Sequence, residues 1–397
     1  MSGEDKPGLT AELTKILADY KINILDIGQA VIHETLSLGI MIEIPKESES
    51  APVLKELLFK AHRLNVQLRF NPVDWDDYEQ WVNAQGKSRY ILTVFGRKLT
   101  ALQIAAISDT VAKQQLNIEQ IHRLSGRISL NSEPQVPRAC VEFTLRGEPA
   151  NLSELNKSLL ELSQALNIDI GFQPDTMYRR NRRLVAFDMD STLIQTEVIN
   201  ELAEYAGVGS EVAEITELAM QGQLDFKESF KRRVGLLKGL EITVLEEIAN
   251  RLPVTEGAKR LIDTLHAMGY KTAIISGGFT YFGEVLKKQL GIDYVIANEL
   301  DIKDGKLTGK VIEPIIDAEG KAQTLALLAE KEGIRLEQTV AIGDGANDLP
   351  MINLAGLGIA FHAKPLVKAN AKQAISNMGL DGVLYLLGVR DREVIKL

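Results

Sequence analysis

Two aspartates stand two residues apart, directly after a short apolar segment. The segment is Leu184–Phe187, and Asp188 and Asp190 follow it in the run DMDST. Because ligands bind at the carboxyl ends of strands in open α/β sheets, we expect both carboxylates at a binding crevice. Their spacing allows one side chain and one backbone carbonyl to meet a metal ion while the other carboxylate faces a leaving group. An isolated Asp-x-Asp is equally often a pair of helix-capping residues, so other strand ends must support this interpretation.

A second apolar segment ends in groups that suit an anion. Tyr270–Ile275 is followed by Ser276, Gly277 and Gly278. Small residues let backbone N–H groups approach an anion, and the Ser276 hydroxyl adds a donor. Lys321 follows further along the chain, where a fixed ammonium could neutralise a phosphoryl oxygen. Taken alone, Lys321 would be an ordinary solvated lysine on a helix.

A third apolar segment ends in groups that suit a cation. Thr339–Ile342 is followed by the run GDGAND, which brings Asp344, Asn347 and Asp348 to the same edge of the predicted sheet. Carboxylate oxygens, with little room for His or Cys, are suitable ligands for Mg²⁺, which also bridges phosphate. The sequence therefore predicts a magnesium and phosphate site at the ends of three buried parallel strands.

These pieces, in this order, resemble the haloacid dehalogenase superfamily of phosphotransferases. The resemblance covers about half of the chain, from Leu184 onward. It implies an α/β fold with a Rossmann-like parallel sheet over residues 184–397. It also implies that Asp188 is the nucleophile that forms an aspartyl-phosphate. Asp190 would be the general acid for the leaving alkoxide and then the base for the attacking water.

The same resemblance implies roles for the remaining residues of the site. Mg²⁺ would be held by the Asp188 carboxylate, the Asp190 carbonyl and Asp344. The groups that bind phosphoryl oxygens or position water would be Ser276, Gly277, Lys321 and Asn347, and Asp348 would orient the neighbouring lysine and loop. Ion pumps of this superfamily carry threonine where Asp190 stands, and a carboxylate there favours turnover of phosphate monoesters.

The segment between the first two strand ends predicts a helical cap over about residues 197–252. It resembles the cap of the phosphoserine phosphatases, which implies that Glu197 receives the substrate ammonium and that Arg233 binds its carboxylate. Met220 and Phe226 would shield the reacting phosphate from water. A zwitterion with a phosphate tail needs one anion, one forked cation and a dry lid. Without the catalytic set, Glu197 and Arg233 would be helix charges and Phe226 a core residue.

An internal repeat precedes the catalytic half. Residues 64–72 (LNVQLRFNP) return as residues 166–174 (LNIDIGFQP), and the second copy shows the order β-α-β-β-α-β of a ferredoxin-like α+β domain. It resembles the ACT domain, an amino-acid-sensing module, which implies an amino-acid effector, with serine as the first candidate. We therefore expect ACT-like domains over residues 1–74 and 88–174, and a homodimer.

The first copy begins almost at its glycine turn. No segment before Gly3 corresponds to the strand Tyr90–Phe95 of the second copy, so we expect the first domain to lack this central strand. The natural chain could start upstream, another segment could fill the gap, or the domain could stay loose. We favour an upstream start and expect residues 1–72 to be the least stable part of the chain.

Composition excludes several classes of protein. The 397 residues carry 45 Lys+Arg and 54 Asp+Glu, and the resulting net charge of −9 argues against a general nucleic-acid or anionic-membrane binder. Cys140 is the single cysteine, which favours a reducing compartment. No apolar run approaches the roughly 20 residues of a membrane span, and Met1 is followed by polar residues rather than a signal peptide. We expect a cytoplasmic protein.

The leading hypothesis is a Mg²⁺-dependent phosphatase that releases L-serine from phosphoserine, the last step of serine biosynthesis. One alternative is a phosphotransferase that passes the phosphoryl group to another alcohol, such as homoserine. A second alternative is an amino-acid sensor whose catalytic half is vestigial. The joint presence of Asp188, Asp190, Lys321 and Asp344 argues against the sensor.

Overall fold

The computed structural model describes residues 1–44, 50–83, 86–127, 129, 131, 136–220 and 223–394. The chain forms two compact units, Met1–Gly86 and Lys87–Leu397. The second unit contains both the second repeat and the catalytic half, which the sequence analysis treats as separate domains.

The first unit is a small sheet packed against helices. Its elements are β1 (Ser2–Glu4), α1 (Leu9–Asp19), β2 (Asn23–Ile32), β3 (Thr35–Glu43), α2 (Ser50–Arg63) and α3 (Trp75–Asn83). The strands run antiparallel in the order β1-β3-β2. Leu9, Leu13 and Leu17 of α1 recur at helical spacing and pack on Leu36 and Leu38 of β3.

The structure corrects the expectation that the first repeat lacks its central strand. β1 pairs with β3 on one side, where Gly3 lies opposite Leu36. On its other side, Ser2 and Gln67 exchange backbone hydrogen bonds of 2.9 and 2.8 Å. A short strand thus occupies the gap, and the last strand of this repeat is reduced to one bridge at Gln67. Three residues, Ser-Gly-Glu, are too few and too polar to show the alternation that predicts a strand.

The second repeat has the predicted ferredoxin-like order. Its elements are β4 (Arg89–Gly96), α4 (Ala101–Lys113), β5 (Asn117–Arg123), β6 (Ala139–Arg146), α5 (Leu152–Leu166) and β7 (Asp169–Pro174). The sheet order is β5-β6-β4-β7, with all pairs antiparallel. Thr100 starts α4 with a capping box to Gln103, and Asn151 caps α5 through the Glu154 N–H. The predicted strand 117–130 ends earlier, at Arg123, and residues 128 and 130 lie outside the described residues.

The catalytic half contains the predicted Rossmann-like sheet. Its strands are β8 (Leu184–Phe187), β9 (Lys271–Phe279), β10 (Tyr294–Lys303), β11 (Lys306–Ile312), β12 (Thr339–Gly343), β13 (Leu357–Phe361) and β14 (Gln373–Ile375). They lie in the order β11-β10-β9-β8-β12-β13-β14, parallel except for the β10–β11 hairpin. This arrangement places the catalytic motifs after β8, β9 and β12, three neighbouring strands.

Helices surround this sheet and form the predicted cap. The cap helices are α6 (Val198–Ala206), α7 (Gly209–Met220), α8 (Phe226–Leu236) and α9 (Ile242–Ala249). The other helices are α10 (Ala258–Ala267), α11 (Thr280–Leu290), α12 (Ala318–Lys331), α13 (Leu349–Leu354), α14 (Pro365–Asn370) and α15 (Gly382–Leu386). No helix among the described residues is long and apolar enough to cross a membrane.

The second repeat has its own hydrophobic core and also contributes residues to a core of the catalytic half. Phe95 and Cys140, from β4 and β6, belong to the same buried cluster as Met378 and Tyr385 near the C-terminus. Phe95 meets Tyr385 edge to face with 6.0 Å between ring centroids. Aromatic pairs of this kind add to the stability gained by burying their area. The repeat is therefore built into the catalytic half rather than tethered to it.

A buried carboxylate strengthens this junction. Asp169, at the start of β7, is fully buried and accepts hydrogen bonds from the backbone N–H groups of Ser376, Asn377 and Met378 at 2.7, 3.0 and 3.1 Å. Burial raises the pKa of Asp169, and the hydrogen bonds from Ser376 and Asn377 partly offset that effect. The loop after β14 is thus held in place by one side chain of the repeat.

We predict that Asp169→Ala lowers the free energy of unfolding by at least about 3 kcal/mol, because three N–H groups at the buried Asp169 carboxylate lose their acceptor. Urea unfolding measures this. The matched control is Asp109→Ala on α4, which removes an exposed carboxylate 2.7 Å from Lys113 and should cost less than about 1 kcal/mol. Equal losses in the two variants would contradict the role of Asp169.

Candidate active site

The crevice forms where β8 and β12 end beside β9. Phe187 of β8 pairs with Ile342 of β12 and with Ile274 of β9. The residues that follow each pair therefore emerge side by side at one edge of the sheet. Asp188 is buried there, and its backbone N–H donates to the Ile342 carbonyl at 2.8 Å.

A buried lysine bridges two of the carboxylates. The Lys321 Nζ lies 2.6 Å from Asp348 Oδ1 and 3.0 Å from Asp188 Oδ1, and all three side chains are buried. The other Asp348 oxygen accepts the backbone N–H groups of Asp344 and Gly345 at 3.1 and 2.9 Å. Asp348 therefore orients Lys321 and the loop after β12 at the same time.

The donor set fits a magnesium ion. Oxygens of Asp188, Asp344 and Asp348 lie within 4.8 Å of one another. Burial, reinforced by the neighbouring carboxylates, raises the pKa of Asp344 to about 7; burial and Asp188 raise that of Asp348 to about 6. Burial is the main cause of both shifts, and negative charge from the neighbouring carboxylates adds to it. An all-oxygen site with excess negative charge suits Mg²⁺.

Asp190 is held by the first turn of the cap. Its Oδ1 accepts the backbone N–H of Val198, the first residue of α6, at 3.2 Å. Burial, then the charges of Glu197 and Asp188, raise the pKa of Asp190 well above its ordinary value. A carboxyl group whose pKa is raised holds its proton more tightly and is better suited to act as an acid. Ser191 follows with a φ of +54°, in the left-handed region, which turns the chain toward the cap.

The carboxyl-terminal end of β9 approaches Asp190 closely. The Ser276 hydroxyl is buried and accepts the Gly278 N–H at 3.0 Å. A Cβ on Gly278 would lie 2.6 Å from Asp190 Oδ2, so only glycine allows this approach. A Cβ on Gly277 would lie 3.5 Å from Phe226 Cζ, so this end of β9 meets the cap as well as Asp190.

Asn298 is a structural part of the site that the sequence analysis missed. This residue of β10 is buried; its Nδ2 donates to the Gly277 carbonyl at 2.8 Å, and its Oδ1 accepts the Ile316 N–H at 2.7 Å. Asn298 thereby connects residues 276–278 to the turn before α12, the helix that carries Lys321. The available signal was an asparagine directly after the apolar run at residues 294–297, where a buried amide must find partners.

The cap brings two opposite charges and an aromatic face to the crevice. Glu197 precedes α6 and accepts the Ser191 hydroxyl at 2.9 Å. On α8, the Arg233 Nε is buried and has no hydrogen-bond partner among the described residues. Burial lowers the pKa of Arg233, and the charge of Glu197 opposes that shift. Phe226 stacks on Phe230 with 6.0 Å between ring centroids.

Two predicted site residues, Asn347 and Met220, have fewer described contacts than the others. Asn347 lies in the short turn after β12, half-buried, close to Gly345. Met220 ends α7, and its side chain lies outside the described residues. The cap helix α8 is tied to the sheet domain by Lys227 and Asp317 at 2.9 Å and by Lys231 and Glu313 at 2.6 Å.

Comparisons with known proteins agree with this architecture. Residues 185–353 match the family profile of haloacid dehalogenase-like hydrolases, and residues 1–71 and 88–173 each match an ACT-domain profile. The phosphoserine phosphatase of Streptomyces coelicolor is 40% identical over 392 residues, 99% of this chain and 92% of the relative. The phosphoserine phosphatase SerB2 of Mycobacterium tuberculosis is 37% identical over 395 residues, 99% of this chain and 93% of the relative.

Two solved structures each superpose on 75% of this chain. A probable phosphoserine phosphatase from Vibrio cholerae superposes with a TM-score of 0.61 at 39% identity, covering 75% of this chain and 86% of that chain. A haloacid dehalogenase-family hydrolase from Salmonella enterica serovar Typhi superposes with a TM-score of 0.64 at 33% identity, covering 75% and 98%.

We predict that Mg²⁺ stabilises the protein through Asp344. Saturating Mg²⁺, at about 100 times its Kd, should add about 2.7 kcal/mol to the free energy of unfolding. Asp344→Asn should lose most of this gain, yet without Mg²⁺ it should be at least as stable as the wild type, because a buried like charge is removed.

Thermal unfolding with and without Mg²⁺ measures both effects. Asp263→Asn on α10, which removes a carboxylate 2.8 Å from Lys259, is the matched control and should keep the full Mg²⁺ response. An undiminished response in Asp344→Asn would place the metal elsewhere.

Proposed function

We propose that this chain, which belongs to the phosphoserine phosphatase family of haloacid dehalogenase-like hydrolases, hydrolyses O-phospho-L-serine to L-serine and phosphate. The observation that carries the substrate assignment is the buried, unpartnered Arg233 Nε near Glu197 in a cap over the Asp188 crevice. A guanidinium and a carboxylate together complement the carboxylate and ammonium of an amino acid.

Asp188 is the proposed nucleophile. Its Oδ1 accepts the Met189 N–H at 2.8 Å and contacts Lys321, so this oxygen is fixed in place. A carboxylate oxygen of Asp188 attacks phosphorus, the bond from phosphorus to the serine oxygen breaks, and an aspartyl-phosphate forms. The electron pair of the broken bond stays on the serine oxygen, which takes the proton held by Asp190.

The second half-reaction reverses the role of Asp190. Now ionised, Asp190 accepts a proton from a water molecule as that water attacks phosphorus. The bond from phosphorus to Asp188 breaks, which regenerates the carboxylate and releases phosphate. The Ser276 hydroxyl, the N–H groups of the adjoining glycines and the Lys321 ammonium are proposed to stabilise charge on the phosphoryl oxygens. Asn347 is proposed to position the water.

The residues proposed to hold Mg²⁺ are Asp188, Asp344 and the Asp190 backbone carbonyl. When bound, Mg²⁺ would neutralise negative charge on the phosphoryl group. Asp348 is left out of this set because both of its oxygens already accept hydrogen bonds from Lys321 and from the loop after β12. Above the crevice, Phe226 and Met220 are proposed to exclude water from the phosphoryl group.

We also propose that amino-acid binding to the ACT domains regulates the reaction, with serine as the first candidate. Release of free serine would make this the last step of serine biosynthesis, and we place it in the cytoplasm. A homodimer is proposed through β2, an edge strand in the order β1-β3-β2 that exposes Ile24, Ile27 and Ile32. An apolar edge strand without a second partner is suited to pairing with another chain.

A phosphate-release screen tests the substrate. With Mg²⁺, we expect phosphoserine to be preferred over phosphothreonine, phosphotyrosine and sugar phosphates, with water as the sole acceptor. Asp188→Asn should lower kcat by at least about 10³-fold, because an amide is not a nucleophile. Transfer of the phosphoryl group to homoserine instead of water, or substantial turnover by Asp188→Asn, would overturn the assignment.

Arg233→Lys tests how the substrate is recognised. Lysine cannot fork a carboxylate, so KM for phosphoserine should rise by about 10-fold or more. KM for phosphoethanolamine, which lacks the carboxylate, should change far less. The matched control is Arg232→Lys on the same helix, where the exposed Arg232 pairs with Glu228, and it should leave both KM values unchanged. Equal increases for both substrates in Arg233→Lys would assign Arg233 to cap structure.

A further inference from the structure

One face of the cap helix α8 lies over the carboxyl-terminal end of β9, where the phosphoryl group is proposed to bind. Phe226, at the start of the helix, comes within 3.5 Å of the place that a Cβ on Gly277 would occupy. Phe230, one turn later, stacks on Phe279 with 5.7 Å between ring centroids. The guanidinium carbon of Arg233 lies 5.9 Å from the centre of the Phe230 ring. This face of α8 therefore runs from the phosphoryl end of the crevice to the proposed carboxylate-binding arginine.

Ser229 lies on the same face, three residues after Phe226 and four before Arg233. Residues three or four apart on a helix are neighbours, with about 5–6 Å between their Cβ atoms. Ser229 is fully buried, and its hydroxyl has no hydrogen-bond partner among the described residues. The Arg233 Nε is also buried without a partner there. Two unpartnered polar atoms thus lie one helical turn apart on the inner face of the cap.

Other buried hydroxyls in the described helices do find partners within the protein. Thr264 of α10 and Ser163 of α5 donate to backbone carbonyls at 2.7 and 2.6 Å. A serine or threonine inside a helix can satisfy its hydroxyl on the carbonyl four residues earlier, as Thr264 does. For Ser229 that carbonyl belongs to Asp225, and it accepts the Ser229 backbone N–H at 2.9 Å but not the hydroxyl. The Ser229 hydroxyl is therefore left available to a ligand.

The two unpartnered atoms call for the same kind of ligand group. A buried polar group without a partner destabilises the folded protein, so its presence requires an explanation. The Arg233 guanidinium can only donate hydrogen bonds, and the Ser229 hydroxyl can donate one. A carboxylate has two oxygens that accept about four hydrogen bonds, enough for both residues at once. A single carboxylate bound at this turn of α8 would therefore satisfy both side chains.

We propose that Ser229 is a second residue that binds the substrate carboxylate, its hydroxyl donating to a carboxylate oxygen beside the Arg233 guanidinium. This inference rests on the proposed function and adds a specificity-determining residue to it. A phosphate ester without a carboxylate would leave both donors unpartnered. A site built to hydrogen-bond one group of a substrate rejects analogues that lack that group. Ser229 and Arg233 would together favour phosphoserine over the phosphate ester of a simple amino alcohol.

Steady-state kinetics of Ser229→Ala in the full chain, with Mg²⁺, test the proposal. KM for phosphoserine should rise by about 10-fold, because a hydrogen bond to a charged group is lost, while kcat should change by less than about twofold. KM for phosphoethanolamine, which lacks the carboxylate, should stay within about twofold of the wild-type value. A residue that only supports the cap would change KM for both substrates alike.

Further measurements separate the hydroxyl from size and folding. Ser229→Cys fills nearly the same space but donates weakly, so KM for phosphoserine should rise as in Ser229→Ala. Thr93→Val on β4 removes another fully buried hydroxyl without a described partner and should leave both KM values unchanged. Without substrate, Ser229→Ala should unfold at a temperature no lower than the wild type, because the hydroxyl that it removes has no partner in the protein.

Four results would overturn the proposal. The first is an unchanged KM for phosphoserine in Ser229→Ala, and the second is an equal rise of KM for both substrates. The third is a wild-type KM in Ser229→Cys, which would show that size matters rather than the hydroxyl. The fourth is a lower unfolding temperature of Ser229→Ala, which would reveal a partner within the protein. Each of these, with normal phosphoserine turnover by the wild type, leaves the proposed function standing, whereas absence of that turnover rejects the proposed function and this inference with it.

Discussion

The Lys321 ammonium, buried between Asp188 and Asp348, is the interaction on which the rest of the catalytic half depends. A buried charge is tolerated only when partners and hydrogen bonds satisfy it. This requirement fixes α12 at its Asp317 cap, where the carboxylate accepts the Gly320 N–H at 2.8 Å. It also fixes the loop after β12, whose backbone N–H groups donate to Asp348. Three separate stretches of chain thus converge on one cation.

Buried groups that need partners also join the second ACT domain to the catalytic half. It supplies Asp169 to a buried loop of the catalytic half and Phe95 to the common core. Arg138 adds an ion pair to Asp381, 2.7 Å away and fully buried, which also pairs with Arg260 at 2.6 Å. Removing the domain would take the acceptor away from the loop after β14 and one of its two ion-pair partners away from Asp381. The first ACT domain, in contrast, forms its own compact unit around its own core.

Sequence reasoning succeeded where one local pattern determines the geometry. Apolar segments that end in aspartate or glycine predict parallel strands whose carboxyl ends meet, so the position of Asp188 beside Asp344 follows from the sequence. It failed where partners are distant in sequence. Asn298 looks like an isolated polar residue until its two partners are known, and Asp169 looks like an ordinary surface carboxylate of a strand. The β1 strand was missed because three polar residues show no periodicity.

A hydrogen bond joins the cap to the proposed acid of the reaction. Asp190 belongs to the sheet domain, yet its Oδ1 is held by the N–H of Val198, the first residue of a cap helix. A cap that moves away would withdraw that donor and admit water, and the burial that raises the pKa of Asp190 would weaken. Lys227 of the cap also pairs with Asp317, the residue that caps the helix of Lys321. The cap therefore contacts both the proposed acid and the helix that carries Lys321, so movement of the cap would change the surroundings of both groups.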